Sequence, residues 1–164
     1  MSCLNAAFQS EQEDYSMNTS SWVQFESNQL ISDPVSVATF DLAVCTLDEI
    51  KTVSSEFELT VSETARIGGF VGWFDVDFHG SCTNPVENNI TLSTSPYVTA
   101  THWGQQLFPL IPGVQCLKGN SISGNMAVTR RNENQRLMNV KMEYGITTKE
   151  EEETSKVTKV FKVE

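Results

Sequence analysis

The run Gly69-Phe70-Val71-Gly72-Trp73-Phe74-Asp75-Val76-Asp77-Phe78 decides the fold. In an extended chain successive side chains point to opposite faces. Phe70, Phe74, Val76 and Phe78 therefore share one face, and Val71, Trp73, Asp75 and Asp77 the other. The aromatic and β-branched residues that fill it are types that suit a pleated, half-buried surface. Gly68-Gly69 at its start permits a bulge or a sharp bend. Phe70 to Phe78 reads as one continuous strand.

The same two-residue period continues on both sides. Upstream, Phe57, Leu59 and Val61 alternate with Glu56, Glu58 and Thr60, and Val35, Val37 and Thr39 open another extended segment after Pro34. Between them, Thr46-Leu47-Asp48-Glu49-Ile50 has the pattern of one helical turn, with Thr46 as cap and Glu49 at the third position. Downstream, Gly80 to Asn88 is a polar loop and Ile90 to Thr94 a short strand. Ser95 to Trp103 is irregular, and Gln105 to Leu110 is a strand ended by a turn at Pro112-Gly113. Ile122, Gly124, Met126 and Val128 alternate with small polar residues, as do Met138, Val140, Met142 and Tyr144 with Asn139, Lys141 and Glu143. Lys149 to Glu153 reads as a charged loop tip, and Val157 to Val163 as the last strand.

Together these give an all-β fold, an antiparallel β-barrel or sandwich of about eight to nine strands. The first thirty or so residues differ. Leu4, Phe8, Tyr15, Trp22 and Phe25 are scattered among Ser, Asn, Gln, Glu and Asp, which reads as an irregular, partly helical arm with a short helix at Ser2 to Phe8. The expected division is an arm and connection over 1–33 and the β-domain over 34–164. Trp22, Phe25 and Trp103 are expected to form a sticky patch when the chain stands alone.

At 164 residues the chain can bury a real core. Its 11 Lys and Arg against 21 Asp and Glu give a net charge of -10. Such a surface repels phosphate backbones, so nucleic acid is not the expected partner. It attracts basic peptides, or it serves solubility alone. Cys3, Cys45, Cys82 and Cys116 lie more than about thirty residues apart, which gives no zinc-ligand spacing. Free thiols in a reducing, cytoplasmic or nuclear setting are the expectation. No apolar run approaches the ~20 residues a membrane span needs.

Few residues offer chemistry. His79 follows the Asp75-Val76-Asp77-Phe78 run, but a metal site there would also need His102 to converge on it. No serine sits in a GxSxG elbow, and no glycine-rich turn after a strand could cradle a nucleotide. Thr101-His102-Trp103 stands out: a tryptophan in a loop is costly to leave wet, and a histidine both donates and accepts. A loop with both is a candidate edge of a site.

Three segments carry a resemblance. Leu92-Ser93-Thr94-Ser95-Pro96 followed by Thr101-His102-Trp103-Gly104-Gln105-Gln106-Leu107-Phe108 resembles the Thr-His-Trp loop and following strand of the protein arginine methyltransferases, with a type I-like character. Gly69 to Phe78 resembles that family's central barrel strand, and Glu133-Asn134-Gln135-Arg136-Leu137-Met138 its Asn-rich turn. The likeness covers roughly Pro34 to Glu164. Met1-Ser2-Cys3-Leu4 resembles the end of the family's helical dimerisation arm, which makes Met1 an expected internal methionine of a longer ancestor.

The resemblance implies a C-terminal barrel domain. In full enzymes of the family a Rossmann-like domain binds S-adenosylmethionine and passes its methyl group to arginine side chains of proteins. Thr101, His102 and Trp103 would then form an accessory wall of the active site, His102 orienting an acidic residue of the catalytic domain and Trp103 lining the substrate pocket. Neither the donor-binding glycine motif nor the family's glutamate loop has a counterpart in these residues. No cofactor is therefore expected in the chain itself, and no activity from it alone. The expected partners are Arg-containing protein substrates and a Rossmann-like catalytic domain or a full-length homologue. The alternative is a non-catalytic module that binds Arg-rich peptides or regulates a full-length methyltransferase.

Overall fold

The computed structural model describes residues 3–81, 83–147 and 156–164, with side chains from residue 8 onward. The expected loop tip at Lys149 to Glu153 lies outside the described residues. Nine strands occur among them. They form a three-stranded sheet β1 (Ser21–Val23), β6 (Gln105–Cys116) and β3 (Ala65–Gly72), a four-stranded sheet β2 (Thr52–Thr60), β7 (Ser121–Arg130), β8 (Met138–Thr147) and β9 (Val157–Val163), and a two-stranded pair β4 (Asp75–Phe78) and β5 (Ile90–Ser93). Every strand pairing is antiparallel. The all-β expectation holds.

The arm is more helical than its composition first indicates. Helix α1 spans Cys3–Asn18 rather than Ser2 to Phe8. The segment holds no Gly, Pro or β-branched residue, and Ala, Leu, Glu and Gln favour helix. A helix of this length is marginal alone, and α1 lies against β6 and β9. The Tyr15 hydroxyl donates to Glu164 Oε2 at 3.2 Å. Thr19 forms a bridge with Lys162, whose carbonyl accepts from the Ser20 amide at 2.9 Å. The chain then enters β1 (Ser21–Val23), which pairs with the start of β6.

No strand forms at Val35 to Thr39. That stretch finds no partner strand, although Val37 packs against the core. The helical turn is α2 (Leu47–Lys51), with the expected capping box: Thr46 Oγ1 accepts from the Glu49 amide, and Glu49 Oε2 accepts from the Thr46 amide at 2.6 Å. These hydrogen bonds to the charged form hold the Glu49 carboxyl below the usual range.

β2 (Thr52–Thr60), β7 (Ser121–Arg130), β8 (Met138–Thr147) and β9 (Val157–Val163) follow the alternation in the sequence. The central run does not stay whole. β3 (Ala65–Gly72) pairs with β6, whereas β4 (Asp75–Phe78) leaves that sheet to pair with β5 (Ile90–Ser93). The ladder to β6 ends at Gly72↔Gln106, one residue from the start of β6, so the chain must find a new partner. Phe70, Phe74 and Phe78 consequently do not share one buried face: Phe70 packs between two core clusters, while Phe74 and Phe78 are exposed.

The expected bulge at Gly68-Gly69 is present. The register passes from Ile67↔Val114 to Gly69↔Pro109. A Cβ at position 69 would meet the Phe108 carbonyl oxygen at 2.5 Å, so glycine permits the close approach of β6. Pro112-Gly113 is not a turn. β6 runs unbroken as Gln105–Cys116, through a cis Ile111-Pro112 bond. The bulge places Pro112, which has no N–H to donate, outside the paired register. The turn falls later, where the Asn120 amide donates to the Leu117 carbonyl at 3.0 Å.

The core lies between the two larger sheets. One cluster joins Phe57, Val61, Ile67, Leu110, Cys116, Ile122, Tyr144 and Ile146; the other joins Phe108, Val140, Met142 and Phe161. Phe70 links them, edge-on to Tyr144 at 5.2 Å and to Phe57 at 5.8 Å between ring centroids. Burial pushes the Cys116 thiol and the Tyr144 phenol up, and a Cys116 thiolate would raise Tyr144 further. No described helix is long and apolar enough to cross a membrane.

Candidate functional site: the Thr101–Trp103 loop

The β4-β5 pair and the loop over 94–104 lie outside both core clusters. Thr94 fixes the start of the loop. It is almost fully buried, and its amide and hydroxyl both donate to the Phe74 carbonyl, at 3.1 and 2.8 Å. The Phe74 amide donates back to Thr94 Oγ1 at 3.2 Å. A threonine here satisfies both backbone groups at the point where β3 gives way to β4, which a purely apolar residue could not do. On β4, the Asp75 and Asp77 carboxylates accept from the Ser93 and Thr91 hydroxyls at 2.6 and 2.5 Å.

Gln105 fixes the end of the loop. Its side chain is buried, and Nε2 donates to the Thr94 carbonyl at 2.7 Å while Oε1 accepts from the Phe25 amide at 2.7 Å. One glutamine thus joins both ends of the loop to the chain that arrives from the arm. Just before it, Gly104 has φ +54. A Cβ there would meet the Val23 carbonyl oxygen at 2.6 Å and the Trp22 ring at 2.8 Å. Both the left-handed backbone and the close approach require glycine.

Between these fixed ends the loop projects His102 and Trp103 outward, and both are exposed. The Trp103 ring lies edge-on to His102 at 6.1 Å and to Phe74 at 6.4 Å between centroids. Trp73 and Tyr97 form a second edge-on pair at 6.3 Å. Thr101 points inward, its hydroxyl oxygen buried without a hydrogen-bond partner. Two bonds from the connecting segment hold the loop backbone: Trp22 Nε1 donates to the Trp103 carbonyl, and Gln24 Nε2 to the Thr101 carbonyl at 3.2 Å.

The residues singled out in the sequence therefore lie together in one loop, with Trp22 beside them as expected and Phe25 half-buried. His79 is exposed beyond β4. Among the described residues no group of three His, Cys, Asp or Glu side chains could hold a metal ion. Sequence reasoning missed Thr94, Gln24 and Gln105. The one signal for Gln105 was its place directly after Gly104 at the head of an apolar strand, where a polar side chain must find partners if buried.

The family described as the arginine methyltransferase oligomerization subdomain matches residues 1–150. Among curated relatives, protein arginine N-methyltransferase PRMT10 of Oryza sativa subsp. japonica is 33% identical over 148 residues, covering 89% of this chain and 39% of the relative. Protein arginine N-methyltransferase 6 of Xenopus tropicalis is 36% identical over 117 residues, or 71% of this chain and 33% of the relative. Among solved structures, Arabidopsis thaliana protein arginine methyltransferase 10, described in a uniquely open conformation, superposes with a TM-score of 0.90 at 29% identity over 100% of this chain and 48% of that one. The Trypanosoma brucei PRMT1 enzyme–prozyme heterotetrameric complex with AdoHcy shares the fold, with a TM-score of 0.79 at 19% identity over 91% of this chain and 45% of that one. With a family match over residues 1–150 and a curated relative 33% identical over 89% of the chain, this chain belongs to the arginine methyltransferase oligomerization subdomain family. It spans well under half the length of the curated relatives it matches, 39% and 33% in the two named.

Proposed function

We propose that this chain is the barrel and oligomerization part of a protein arginine methyltransferase, and that Thr101, His102 and Trp103 form the wall it turns toward a donor-binding domain. The observation that carries this reading is the loop itself. A buried glutamine and a buried threonine fix its two ends, yet it holds a histidine and a tryptophan out in solvent beside exposed Phe74. Exposed aromatic rings on a firmly held loop mark a face built to meet another surface.

The family's methyl donor does not fit the residues described here. Two clefts among the described residues, of about 430 and 440 Å³, are lined by Ser10, Glu11, Asp14, Tyr15 and Lys162, and by residues between Val37 and Ser54. Neither offers the glycine-rich strand-to-helix turn that lets backbone approach a nucleoside. S-adenosylmethionine would supply the transferable methyl group from a separate domain. What this chain contributes is orientation. His102, free to donate and accept, orients an acidic partner, and Trp103 shields one side of the arginine pocket from water. The division into an arm over 1–33 and a barrel over 34–164 belongs to the same reading.

The test has two arms. The isolated chain, incubated with labelled S-adenosylmethionine and an Arg-rich peptide, is expected to transfer nothing; clear turnover would overturn the reading. Grafted in place of the matching segment of the rice relative, the chain is expected to restore methylation. His102→Ala in that graft then lowers kcat by about 100-fold without shifting the unfolding midpoint. An active graft indifferent to His102→Ala would remove the loop from the site. The net charge of -10 favours a second role for the same chain, as a surface for Arg-rich peptides. Its signature is peptide binding that weakens steeply with salt.

A further inference from the structure

We infer that Trp22, Gln24 and Gln105 are positioning residues for His102 and Trp103, and that through them the seating of helix α1 sets how firmly the loop is held. This rests on the loop being the working face.

The loop cannot hold itself. Its internal hydrogen bonds lie in its first half, where the amides of Tyr97 and Val98 reach Ser95. In the second half, the bonds accepted by the Thr101 and Trp103 carbonyls come from Gln24 and Trp22. The Trp22 ring also lies directly against Gly104, within 2.8 Å of where a Cβ would stand. Trp22 therefore holds the loop in two ways, as a donor and as a wedge.

The position of Trp22 depends in turn on the arm. β1 is only Ser21–Val23, too short to hold its place alone. It is continued backward by Ser20, whose amide and hydroxyl donate to the Lys162 carbonyl at 2.9 and 3.0 Å, and whose hydroxyl accepts from Gln106 Nε2 at 2.6 Å. Thr19 bridges Lys162, and one turn earlier Tyr15 donates to Glu164. Glu164 Oε1 also lies 3.6 Å from Nη1 of Arg131, a buried cation. From α1 to the loop the links are contiguous: Tyr15 to Glu164, Thr19 and Ser20 to Lys162, Ser20 to Gln106, Trp22 to Trp103. Helix α1 has few contacts of its own, so an event that reseats it pulls on a three-residue strand that ends at the loop. A contact made on the arm is thereby felt at His102.

Amide hydrogen exchange on the full chain tests this. Trp22→Phe keeps a ring against Gly104 but loses the donor. The buried amides of Gly104 and Gln105, at the end that Trp22 holds, are then expected to exchange about tenfold faster, with the thermal midpoint and the α1 amides unchanged. The His102 ring resonances shift in the same variant. Gln24→Ala, at an exposed position, gives a severalfold rise at the same amides. Tyr15→Phe, remote from the loop in sequence, is expected to speed exchange in α1 and, by a smaller factor, at Gly104 and Gln105. Loop exchange within twofold of the parent in Trp22→Phe and Gln24→Ala would overturn the positioning role. A Tyr15→Phe variant with a loosened α1 and an unchanged loop would overturn the coupling. These readouts involve no methyl transfer, so an inactive graft with the expected exchange pattern would count against the functional reading and not against this one.

Discussion

The two ends of the β-structure use aromatic residues in opposite ways. Where β2, β7, β8 and β9 face β3 and β6, Phe57, Phe70, Tyr144, Phe108 and Phe161 interlock in the core. Around the β4-β5 hairpin, Phe74, Phe78 and Trp103 stand in solvent, and hydrogen bonds from Thr94, Gln105, Trp22 and Gln24 fix the backbone instead. Stability resides in the first region. The second keeps its shape through a few polar bonds, which leaves its rings free to meet another surface.

Substitutions should separate the regions by size of effect. Phe161→Ala removes a side chain with 0% exposure. It should cost about 3–5 kcal/mol in denaturant unfolding; a loss below about 1 kcal/mol would erase the contrast. Gly104→Ala forces a Cβ against the Val23 carbonyl at φ +54. About 1–2 kcal/mol should be lost there, with the change in exchange concentrated in the loop. Thr94→Val keeps the shape and the backbone bond to the Phe74 carbonyl but leaves the Phe74 amide without its partner, for about 1–2 kcal/mol. Trp103→Ala should move stability by no more than about 0.5 kcal/mol, yet reduce the binding of a hydrophobic dye. Unchanged dye binding would mean that the exposed rings form no patch.

The smallest effect concerns two tyrosines whose phenols are both raised, Tyr144 in the core and Tyr15 exposed on helix α1. For Tyr144 the cause is burial, then a Cys116 thiolate; for Tyr15 it is the Glu164 carboxylate, then the hydrogen bond to it. A phenol whose folded value lies above its unfolded one adds stability below about pH 10. That contribution fades as pH rises through the raised value. Glu164→Gln should bring the absorbance titration of Tyr15 back toward the ordinary phenol range and leave Tyr144 where it is.

Most of the β-pattern was legible because β2 alternates with burial and β8 carries its apolar residues Val140, Met142, Tyr144 and Ile146 into the core. The α2 cap was legible because Thr46 and Glu49 bond locally. Contacts between distant segments were not. Phe70 to Phe78 looked continuous because alternation says nothing about which strand is the neighbour, and β6 runs out opposite Gly72. Pro112-Gly113 looked like a turn because a wide bulge can hide a proline inside a strand. Helix α1 looked short because scattered apolar residues give little amphipathic signal; what seats it is Tyr15, Thr19 and Ser20 reaching residues near the other end of the chain. In the loop, Thr101, His102 and Trp103 were found by family likeness and by their odd chemistry. The residues that hold them were silent until the fold brought Trp22 and Gln105 alongside.

Gln105 Nε2 on the Thr94 carbonyl has one more consequence. It closes residues 94–105 into a small ring whose mouth is tied independently of what lies between, as in a compact Ω-loop. Between the Ser95 turn and the stretch held by Gln24 and Trp22, exposed residues 99–100 can change in length or composition with little cost to the sheets behind. The ring is thus a cassette that travels with its ties: set between the matching strands of a relative, it should keep its shape where Trp22 and Gln24 come with it.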